Sequence, residues 1–334
     1  MTNKKSILII GGTGTISSSL TQLIIQRNEY DLYLLHRKSP SNPNELKYKY
    51  IQGDINDEQI QNQLQSMQFD IVIDFICFNK IDAQRDVDVF KNNCSQFIFI
   101  STAATYNQSN YPHTENTSQN QTQWKYAQMK YEAEQLFIHH FQNENFPLTI
   151  VRPSHTYCDK KIPTPIHGKI GTYQILERMK NNKPIIIHGD GTSLWTFTHA
   201  DDFVKGLYGV LGKKECIGET YHVTSDEVLN WNEWCLLLGK VWGYEVKICH
   251  VPTDILIHFD ESLKGQMMYD KALCRVFDNN KIKTCVPDFK ATVSLESGLR
   301  RIKEYIDNHE ESKQIDDEFD KWCDMIVEKM NSLI

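Results

Sequence analysis

The 334-residue sequence predicts an α/β fold, a doubly wound parallel sheet followed by a second, smaller α/β lobe. In the first half of the chain, short apolar runs alternate with stretches of helical periodicity. The apolar runs are nearly continuous, which is typical of parallel strands that helices cover on both faces. After Arg152-Pro153 this rhythm ends, and proline and glycine interrupt a mixed set of elements. The second lobe is therefore expected beyond this point.

The strand-like runs of the first half predict a sheet of about seven parallel strands. Helical patterns lie between them, through Gln26, at 56–66, at 80–92 and from about Trp124 to Phe141. The runs are Ser6–Ile10, Asp31–Leu35, Tyr50–Gln52, Ile71–Ile76, Phe97–Ile100 and Leu148–Val151.

The domain organisation follows from the change of rhythm. We predict a first domain over 1–155 with parts of 195–225, and a smaller lobe over 156–195 and 225–310. Apolar residues at helical spacing predict a C-terminal helix within 311–334, which either docks on the protein or forms a dimer contact.

Composition and charge exclude several classes of protein. Lysine and arginine total 36 while aspartate and glutamate total 43, so a net charge of −7 argues against nucleic-acid and membrane-surface partners. The nine cysteines contain no C-x-x-C pair or zinc-finger spacing, which predicts free thiols and no metal site. No apolar run approaches the roughly 18 residues of a membrane span. We therefore expect a cytoplasmic protein.

A glycine-rich turn follows the first strand. Gly11 and Gly14 stand in the sequence GGTGTIS, and Ser17 replaces a third glycine. Glycines in such a turn let the backbone approach a pyrophosphate, which then lies at the N-terminus of the following helix. The turn indicates a dinucleotide site, although a purely structural turn has the same pattern.

The second strand ends in His36-Arg37-Lys38 and carries no carboxylate there. An acidic residue at this place binds a ribose 2′-hydroxyl, whereas arginine suits a 2′-phosphate. NADP(H) is therefore favoured and NAD(H) is possible, unless Arg37 and Lys38 are ordinary loop charges. Asp54 follows the third strand and is either an adenine contact or a turn former.

Tyr126 and Lys130 lie one helical turn apart, on the same face of a predicted helix. A nearby ammonium favours the phenolate, so the phenol can exchange a proton at neutral pH. Thr102 stands at the tip of the fifth strand, where a hydroxyl faces the ligand crevice of a parallel sheet. The alternative for Tyr126 is an exposed helix pair or a place in the core.

With these motifs, the chain resembles the extended short-chain dehydrogenase/reductase superfamily, in its NAD-dependent epimerase/dehydratase branch. The similarity runs from about residue 5 to 305, and its pieces stand in the family's order. They are GGTGTIS at 11–17, GDI at 53–55, FIFISTAATY at 97–106, YAQMK at 126–130, RPSHTY at 152–157, GDGTSLWTFTHADDF at 189–203, FDNNKIK at 277–283 and SLESGLRRI at 294–302. The resemblance implies a Rossmann domain that binds NAD(P) and a smaller lobe that binds the substrate.

The resemblance also implies roles for particular residues. Tyr126 is then the catalytic acid/base, Lys130 lowers its pKa and holds the nicotinamide ribose, and Thr102 hydrogen bonds to the reacting oxygen. The implied dinucleotide contacts are Gly11, Gly14, Thr13, Thr15 and Ile16 at the pyrophosphate, His36 and Arg37 after the second strand, Asp54 and Ile55 at the adenine, and Phe75 and Ile76 after the fourth strand.

Three departures from the family pattern bear on the substrate. Ala103 and Ala104 occupy the positions of the Asp-Glu pair of family dehydratases, so 4,6-dehydration is not expected. Trp195 stands where nucleotide-sugar members often have an arginine, and it either stacks on the ligand or belongs to the core. His155 replaces a frequent asparagine and is either structural or close to the substrate. Ala103, His155 and Trp195 are the candidate substrate contacts.

The expected activity is NAD(P)-dependent hydride exchange at a carbinol or ketone carbon of a sugar or nucleotide sugar. An epimerase and a 4-keto reductase both remain open. The alternatives are a non-catalytic Rossmann protein that binds a dinucleotide or RNA, and a ketoreductase of a non-sugar substrate. The resemblance further implies a homodimer through two long helices, one of which carries Tyr126.

Overall fold

The computed structural model describes residues 4–38, 47–109, 112–119 and 123–332. Its strands are β1 (Lys5–Ile10), β2 (Tyr30–His36), β3 (Lys49–Gln52), β4 (Phe69–Asp74), β5 (Cys94–Ile100), β6 (Leu148–Pro153), β7 (His155–Tyr157), β8 (Ile185–His188), β9 (Leu194–Trp195), β10 (Phe197–His199), β11 (Thr220–Val223), β12 (Leu229–Asn230) and β13 (Ile248–Val251). Its α-helices are α1 (Ser17–Arg27), α2 (Glu58–Gln65), α3 (Lys80–Phe90), α4 (Lys125–Glu144), α5 (Gln174–Lys180), α6 (Ala200–Val210), α7 (Trp231–Trp242), α8 (Thr253–Phe259), α9 (Lys264–Gln266), α10 (Asn280–Cys285), α11 (Leu295–Asn308) and α12 (Asp317–Asn331).

Seven strands form one sheet in the order β11-β6-β5-β4-β1-β2-β3. Every neighbouring pair in it is parallel. The order reverses beside β1, which pairs with both β2 and β4. In a doubly wound sheet, the ligand crevice lies at this reversal, beyond the carboxyl ends of the strands. The predicted fold class is confirmed.

The central strands are buried on both faces, which explains their nearly continuous apolar sequences. Ile7 and Ile9 of β1 pack on one face, with Leu20 of α1 and Phe203 of α6. The intervening residues of β1 pack on the opposite face, in a cluster with side chains from α2, α3 and α4. Helices thus cover the sheet on both sides.

A further apolar cluster lies in the second half of the chain. It contains Trp231 and Trp234 of α7, Ile187 of β8 and Leu299 of α11, all buried. Three two-stranded sheets lie apart from the seven-stranded sheet, β10-β7, β12-β9 and β13-β8. The residue boundaries of the two predicted domains stay a prediction.

Helix α12 packs into the same cluster through Phe319, Cys323 and Ile326. The buried guanidinium of Arg178 in α5 donates to its carboxylates, at 2.6 Å to Asp320 Oδ1 and 2.8 Å to Asp324 Oδ1. The sequence predicted that the C-terminal helix either docks on the protein or forms a dimer contact. The contacts of α12 are those of a helix docked on the protein.

The fourth strand ends two residues before the predicted boundary at Ile76, because the side chain of Asp74 turns the chain. Asp74 Oδ1 accepts the backbone N–H of Ile76 at 2.5 Å and that of Cys77 at 3.0 Å. These bonds replace the ladder bonds of a longer strand.

Within the described ranges, no helix is long and apolar enough to span a membrane. The same part of the chain contains no group of three or more His, Cys, Asp or Glu residues suited to hold a metal ion. All nine cysteines are free thiols.

Candidate active site

Two cavities lie at the carboxyl ends of the parallel strands. The larger, which we name the large groove, has a volume of about 810 Å³ and follows the ends of β1 to β4. Its lining residues are Ile10, Gly11, Thr13, Gly14, Leu35, His36, Arg37, Lys38, Tyr48, Gly53, Asp54, Ile55, Asn56, Ile76, Phe78, Asp82 and Arg85. Most of the residues predicted to contact a dinucleotide are among them.

The glycine turn forms one end of the large groove. Gly11 has a φ of +80°, and a Cβ placed on it would lie 2.6 Å from Ile76 Cγ2. Only glycine fits such a position without strain and without a clash. Ser17 Oγ accepts the N–H of Gly14 at 2.8 Å and donates to Gly11 O at 2.5 Å, which closes the turn in front of α1. Ser17 therefore tightens the loop as well as replacing a glycine.

The end of β2 lines the same groove. His36 Nε2 is buried and has no hydrogen-bond partner among the described residues, and burial lowers the pKa of this imidazole. Arg37 and Lys38 are exposed. Neither forms a hydrogen bond or ion pair with any described residue, so both cations are free to meet an anion in the groove.

The other predicted dinucleotide contacts do not all line the large groove. Asp54 and Ile55 line the groove, but Asp54 Oδ1 also accepts the N–H of Asn56 at 3.0 Å, as a turn former does. Thr15, Ile16 and Phe75 are not among the residues that line the groove. Phe75 packs against the core on one face of the sheet. Roles of these three residues in binding stay predictions.

The second cavity, which we name the small cavity, has a volume of about 140 Å³ and follows the ends of β5 and β6. It brings together Thr102, Tyr126 and all three candidate substrate contacts. Its lining residues are Thr102, Ala103, Ala104, Trp124, Tyr126, Pro153, Ser154, His155, Trp195, Asp270, Lys271, Arg275 and Phe277.

Tyr126 is 36 % exposed and lines the small cavity together with Thr102. Burial raises the pKa of the phenol and the Asp270 carboxylate raises it further, while the side chain of Thr102 lowers it. The pKa of Tyr126 is therefore raised overall. The sequence predicted that Lys130 would lower this pKa, but Lys130 is not among the causes of the shift. In this state the phenol is a proton donor at neutral pH.

Lys130 lies beneath the site, only 2 % exposed. Its ammonium donates to Cys77 O at 2.6 Å and to Ile100 O at 2.9 Å, and these carbonyls hold it in place. The ring of Phe78, which lines the large groove, stands 4.8 Å from Lys130 Nζ. Lys130 itself lines neither cavity. Burial lowers its pKa, since only part of its lost hydration is replaced.

His155 and Trp195 lie edge to face in the small cavity, with ring centroids 6.2 Å apart. Burial lowers the pKa of His155 to about 3, with Lys271 adding to the shift, so the imidazole is neutral. Trp195 is 3 % exposed, and its Nε1 has no hydrogen-bond partner in the part of the chain that the structure describes. An indole N–H that is buried without a partner can donate to a ligand.

Three charged residues of the small cavity were missed by sequence reasoning, Asp270, Lys271 and Arg275. They lie just before the FDNNKIK motif, in a segment whose pattern did not predict a site. The motif itself is partly structural, because Asn279 accepts the N–H of Thr224 at 3.2 Å and fixes a neighbouring loop. The sequence signal that could have indicated these three residues was their position just before the motif.

A buried ion pair fastens the helix that carries Tyr126 and Lys130. Glu134 of α4 receives Arg152 Nε at 2.9 Å and Arg152 Nη2 at 2.5 Å. The hydroxyl of Ser101, next to Thr102, also donates to Glu134. A bidentate pair of this kind sets direction as well as distance, so α4 is held against the ends of β5 and β6.

The residues of the large groove fit a dinucleotide. The glycine at position 11 leaves open the space that any larger side chain would fill, and His36 Nε2 is a buried atom to which no described residue hydrogen bonds. The volume lies within the range of about 300–1,000 Å³ typical of cofactor sites.

Comparison with known proteins identifies the family. The family model described as "NAD dependent epimerase/dehydratase family" matches residues 7–95 and 79–224 of the chain. The chain therefore belongs to the NAD-dependent epimerase/dehydratase family. The predicted class, an enzyme of the short-chain dehydrogenase/reductase type, is confirmed.

Two curated relatives share less than a third of their aligned residues with this chain. The chain is 26% identical over 261 residues to a dTDP-D-glucose 4,6-dehydratase of Dictyostelium discoideum, which covers 66% of this chain and 58% of that protein. It is 29% identical over 176 residues to an uncharacterized UDP-glucose epimerase of Bacillus subtilis (strain 168), which covers 53% of this chain and 51% of that protein. The chain thus spans less than two thirds of the length of these relatives.

A solved structure shares the fold. The UDP-glucuronic acid 4-epimerase from Bacillus cereus, in complex with UDP-glucuronic acid and NAD, aligns with a TM-score of 0.72. The alignment covers 91% of this chain and 99% of that chain at 21% sequence identity. At this identity the similarity supports the architecture alone.

Proposed function

We propose that the chain binds a nicotinamide dinucleotide in the large groove and exchanges a hydride with a sugar in the small cavity. The observation that carries the proposal is that Thr102 and Tyr126 line the small cavity together, at the carboxyl ends of the parallel strands. The reacting carbon is a carbinol or ketone carbon. The names of the curated relatives, a dTDP-glucose dehydratase and a UDP-glucose epimerase, support a nucleotide sugar as the substrate.

The residues of the large groove would hold the dinucleotide along its length. Gly11, Thr13 and Gly14 would face the pyrophosphate at the N-terminus of α1, where backbone amides favour an anion. His36 and Arg37 would meet the adenosine ribose. When bound, the dinucleotide supplies the hydride donor or acceptor.

Tyr126 and Thr102 would act on the oxygen of the reacting carbon. Tyr126 donates its proton to that oxygen when a ketone is reduced, and takes the proton back when a carbinol is oxidised. The raised pKa keeps the phenol protonated, which suits the reductive direction. Thr102, which lines the same cavity, would provide a second hydrogen bond to the same oxygen.

Two features narrow the reaction. Ala103 and Ala104 place methyl groups in the small cavity, where a 4,6-elimination needs an acid and a base, so dehydration is not proposed. Arg37 and Lys38, exposed and unpaired among the described residues, support a preference for NADP(H) over NAD(H). An epimerase and a 4-keto reductase use the same residues. A homodimer and a cytoplasmic location stay predictions.

Replacement of the proposed acid/base tests the function. Tyr126→Phe should lower kcat by about 10²- to 10⁴-fold, because proton transfer in the transition state is lost. The Kd for NADPH should stay unchanged in an equilibrium titration. Tyr131→Phe, on the same helix but outside both cavities, is the matched control and should retain turnover.

The assay begins with the dinucleotide that the purified protein releases on denaturation, identified by mass and absorbance. That dinucleotide is then supplied with UDP-glucose, UDP-glucuronic acid or their 4-keto products. Wild-type turnover that survives in Tyr126→Phe contradicts the assignment of Tyr126. Dinucleotide binding without turnover of any sugar by the wild type favours a non-catalytic protein instead.

A further inference from the structure

We propose that Cys216 and Cys285 form a reversible disulfide when the protein meets hydrogen peroxide, and that this bond joins the residues before the edge strand β11 to the end of α10. Neither cysteine lines the large groove or the small cavity. This site is therefore separate from the one proposed for hydride exchange.

The two sulfur atoms are in contact. Cys216 Sγ and Cys285 Sγ lie 3.3 Å apart, although the two residues are 69 positions apart in the sequence. A disulfide has an S–S length of about 2.05 Å, so the sulfur atoms need to approach each other by about 1.3 Å. Ordinary thermal displacements of about 0.9–1.5 Å cover such an approach. The pair can therefore be bridged without a rearrangement of the fold.

Neighbouring contacts hold the two cysteines together. Cys216 ends a short 3₁₀ turn after α6, and Cys285 ends α10. Lys213 Nζ, just before the turn, donates to Cys285 O at 2.6 Å. Lys281 Nζ of α10 lies 2.7 Å from Glu219 Oε2, just after the turn. The turn is thus tied to α10 on both sides of Cys216, which keeps the two sulfur atoms close.

The two thiols differ in accessibility. Cys216 is 0% exposed, and burial raises the pKa of its thiol to about 12. Cys285 is only partly buried, so an oxidant from solvent reaches its thiol first. Tyr221 donates its hydroxyl to Cys216 Sγ at 3.6 Å, which partly offsets the rise in the Cys216 pKa. Cys285 is therefore the thiol that is oxidised first, and Cys216 is the thiol that resolves it.

The oxidation takes place in two balanced steps. The thiolate of Cys285 attacks one oxygen of hydrogen peroxide and the O–O bond breaks. A sulfenic acid forms, while the leaving hydroxide takes up the proton that Cys285 released. The sulfur of Cys216 then attacks the sulfenic sulfur, the S–S bond forms, the S–O bond breaks, and a second water leaves with the proton of Cys216. The two thiols lose two electrons, and one hydrogen peroxide becomes two molecules of water.

The disulfide would join the points where the chain leaves the seven-stranded sheet and returns to it. Strand β11 follows Cys216 at the edge of that sheet, and Ile282 of α10 packs in one apolar cluster with Tyr221 of β11. Between β11 and α10 the chain forms β12, α7, β13, α8 and α9. A bond across so long a loop restricts the unfolded chain, so the oxidised fold should be more stable than the reduced fold.

The experiment treats the full, reduced chain with hydrogen peroxide, alkylates the remaining thiols in denaturant and identifies unreduced proteolytic peptides by mass spectrometry. We expect a peptide linked through Cys216 and Cys285, two fewer alkylated thiols than the nine of the reduced chain, and full recovery with dithiothreitol. The oxidised protein should melt at least about 4 °C higher than the reduced protein. Cys249→Ser removes another partly buried thiol and is the matched control, which should keep both the link and the rise.

Single variants separate the roles of the two thiols. In Cys216→Ser, the sulfenic acid of Cys285 lacks its partner and should be captured by dimedone. In Cys285→Ser, the buried thiol of Cys216 should stay unmodified and peroxide should not raise the melting temperature. Cys216→Ala and Cys285→Ala replace these variants if circular dichroism shows that the serine variants misfold. The proposal is overturned if the wild type gives no linked peptide, if the link joins other cysteines, or if the linked protein melts no higher than the reduced one.

Discussion

The buried ion pair of Glu134 and Arg152 leads to a testable prediction, because it affects both the stability of the fold and the position of the helix that carries Tyr126. The side chain of Arg152 is 3% exposed and that of Glu134 is 0% exposed. Arg152→Met removes two hydrogen bonds to Glu134 and a third, at 3.0 Å, to the hydroxyl of Tyr106. The carboxylate of Glu134 then stays buried with only the neutral donors of Ser101 and Gln119.

Loss of one partner of a buried ion pair costs about 3–5 kcal/mol, because the other charge is left without compensation. We therefore expect Arg152→Met to lower the free energy of unfolding by about this amount. The double variant Glu134→Met/Arg152→Met removes both charges, so its cost should be less than the sum of the single costs by up to about 3 kcal/mol. Loosening of α4 should also lower turnover, since this helix carries Tyr126 and Lys130.

Urea denaturation, followed by tryptophan fluorescence and far-ultraviolet circular dichroism, measures these free energies. Arg300→Met is the matched control, because Arg300 forms an exposed pair with Glu296 one helical turn away. It should leave the unfolding free energy unchanged. A loss below about 1 kcal/mol in Arg152→Met, or strictly additive costs in the double variant, would refute the reasoning.

Two further predictions concern the large groove and the sheet beside it. Burial raises the pKa values of Asp74 and Asp86, with repulsion from Asp74 adding to the shift at Asp86, while Arg85 partly offsets both. A proton held by the folded pair stabilises the protein below about pH 4, the ordinary aspartate pKa, and this stabilisation is lost as pH rises through the folded pKa. Asp86→Asn should flatten that decline, measured as urea midpoints across pH, and an unchanged slope contradicts the raised pKa of the buried pair. Arg37→Met should weaken NADPH binding about tenfold and leave NADH binding unchanged in fluorescence titrations, whereas equal losses for both would remove the 2′-phosphate role.

Local patterns predicted the elements of the sheet well. The period of the apolar residues is a property of short segments, so β1 was expected at Ser6–Ile10 and begins one residue earlier. The fourth strand was predicted too long, since an apolar pattern continues to Ile76 while the Asp74 carboxylate ends the ladder. Hydrogen bonds between a side chain and nearby amides compete with strand pairing, and apolar periodicity does not report them.

The candidate site was predicted in part, for a similar reason. The glycine turn and the Tyr126–Lys130 spacing are local signals, and in the structure Tyr126 and Thr102 line the same cavity, while their catalytic roles stay predictions. The direction of the Tyr126 pKa was not predicted, because it depends on burial and on Asp270, a residue 144 positions away in the chain. Lys130 is instead held by two backbone carbonyls.

The sequence by itself determined the class of fold, the place of the dinucleotide turn and the family. The fold class and the turn depend on residue spacings within single strands, turns and helices, and the family depends on the order of short motifs along the chain. The tertiary structure alone decided which distant residues share the small cavity. Lys271 and Tyr126 both line this cavity. Donors from three separate segments fix the backbone of Lys271, and no local sequence pattern encodes such an arrangement.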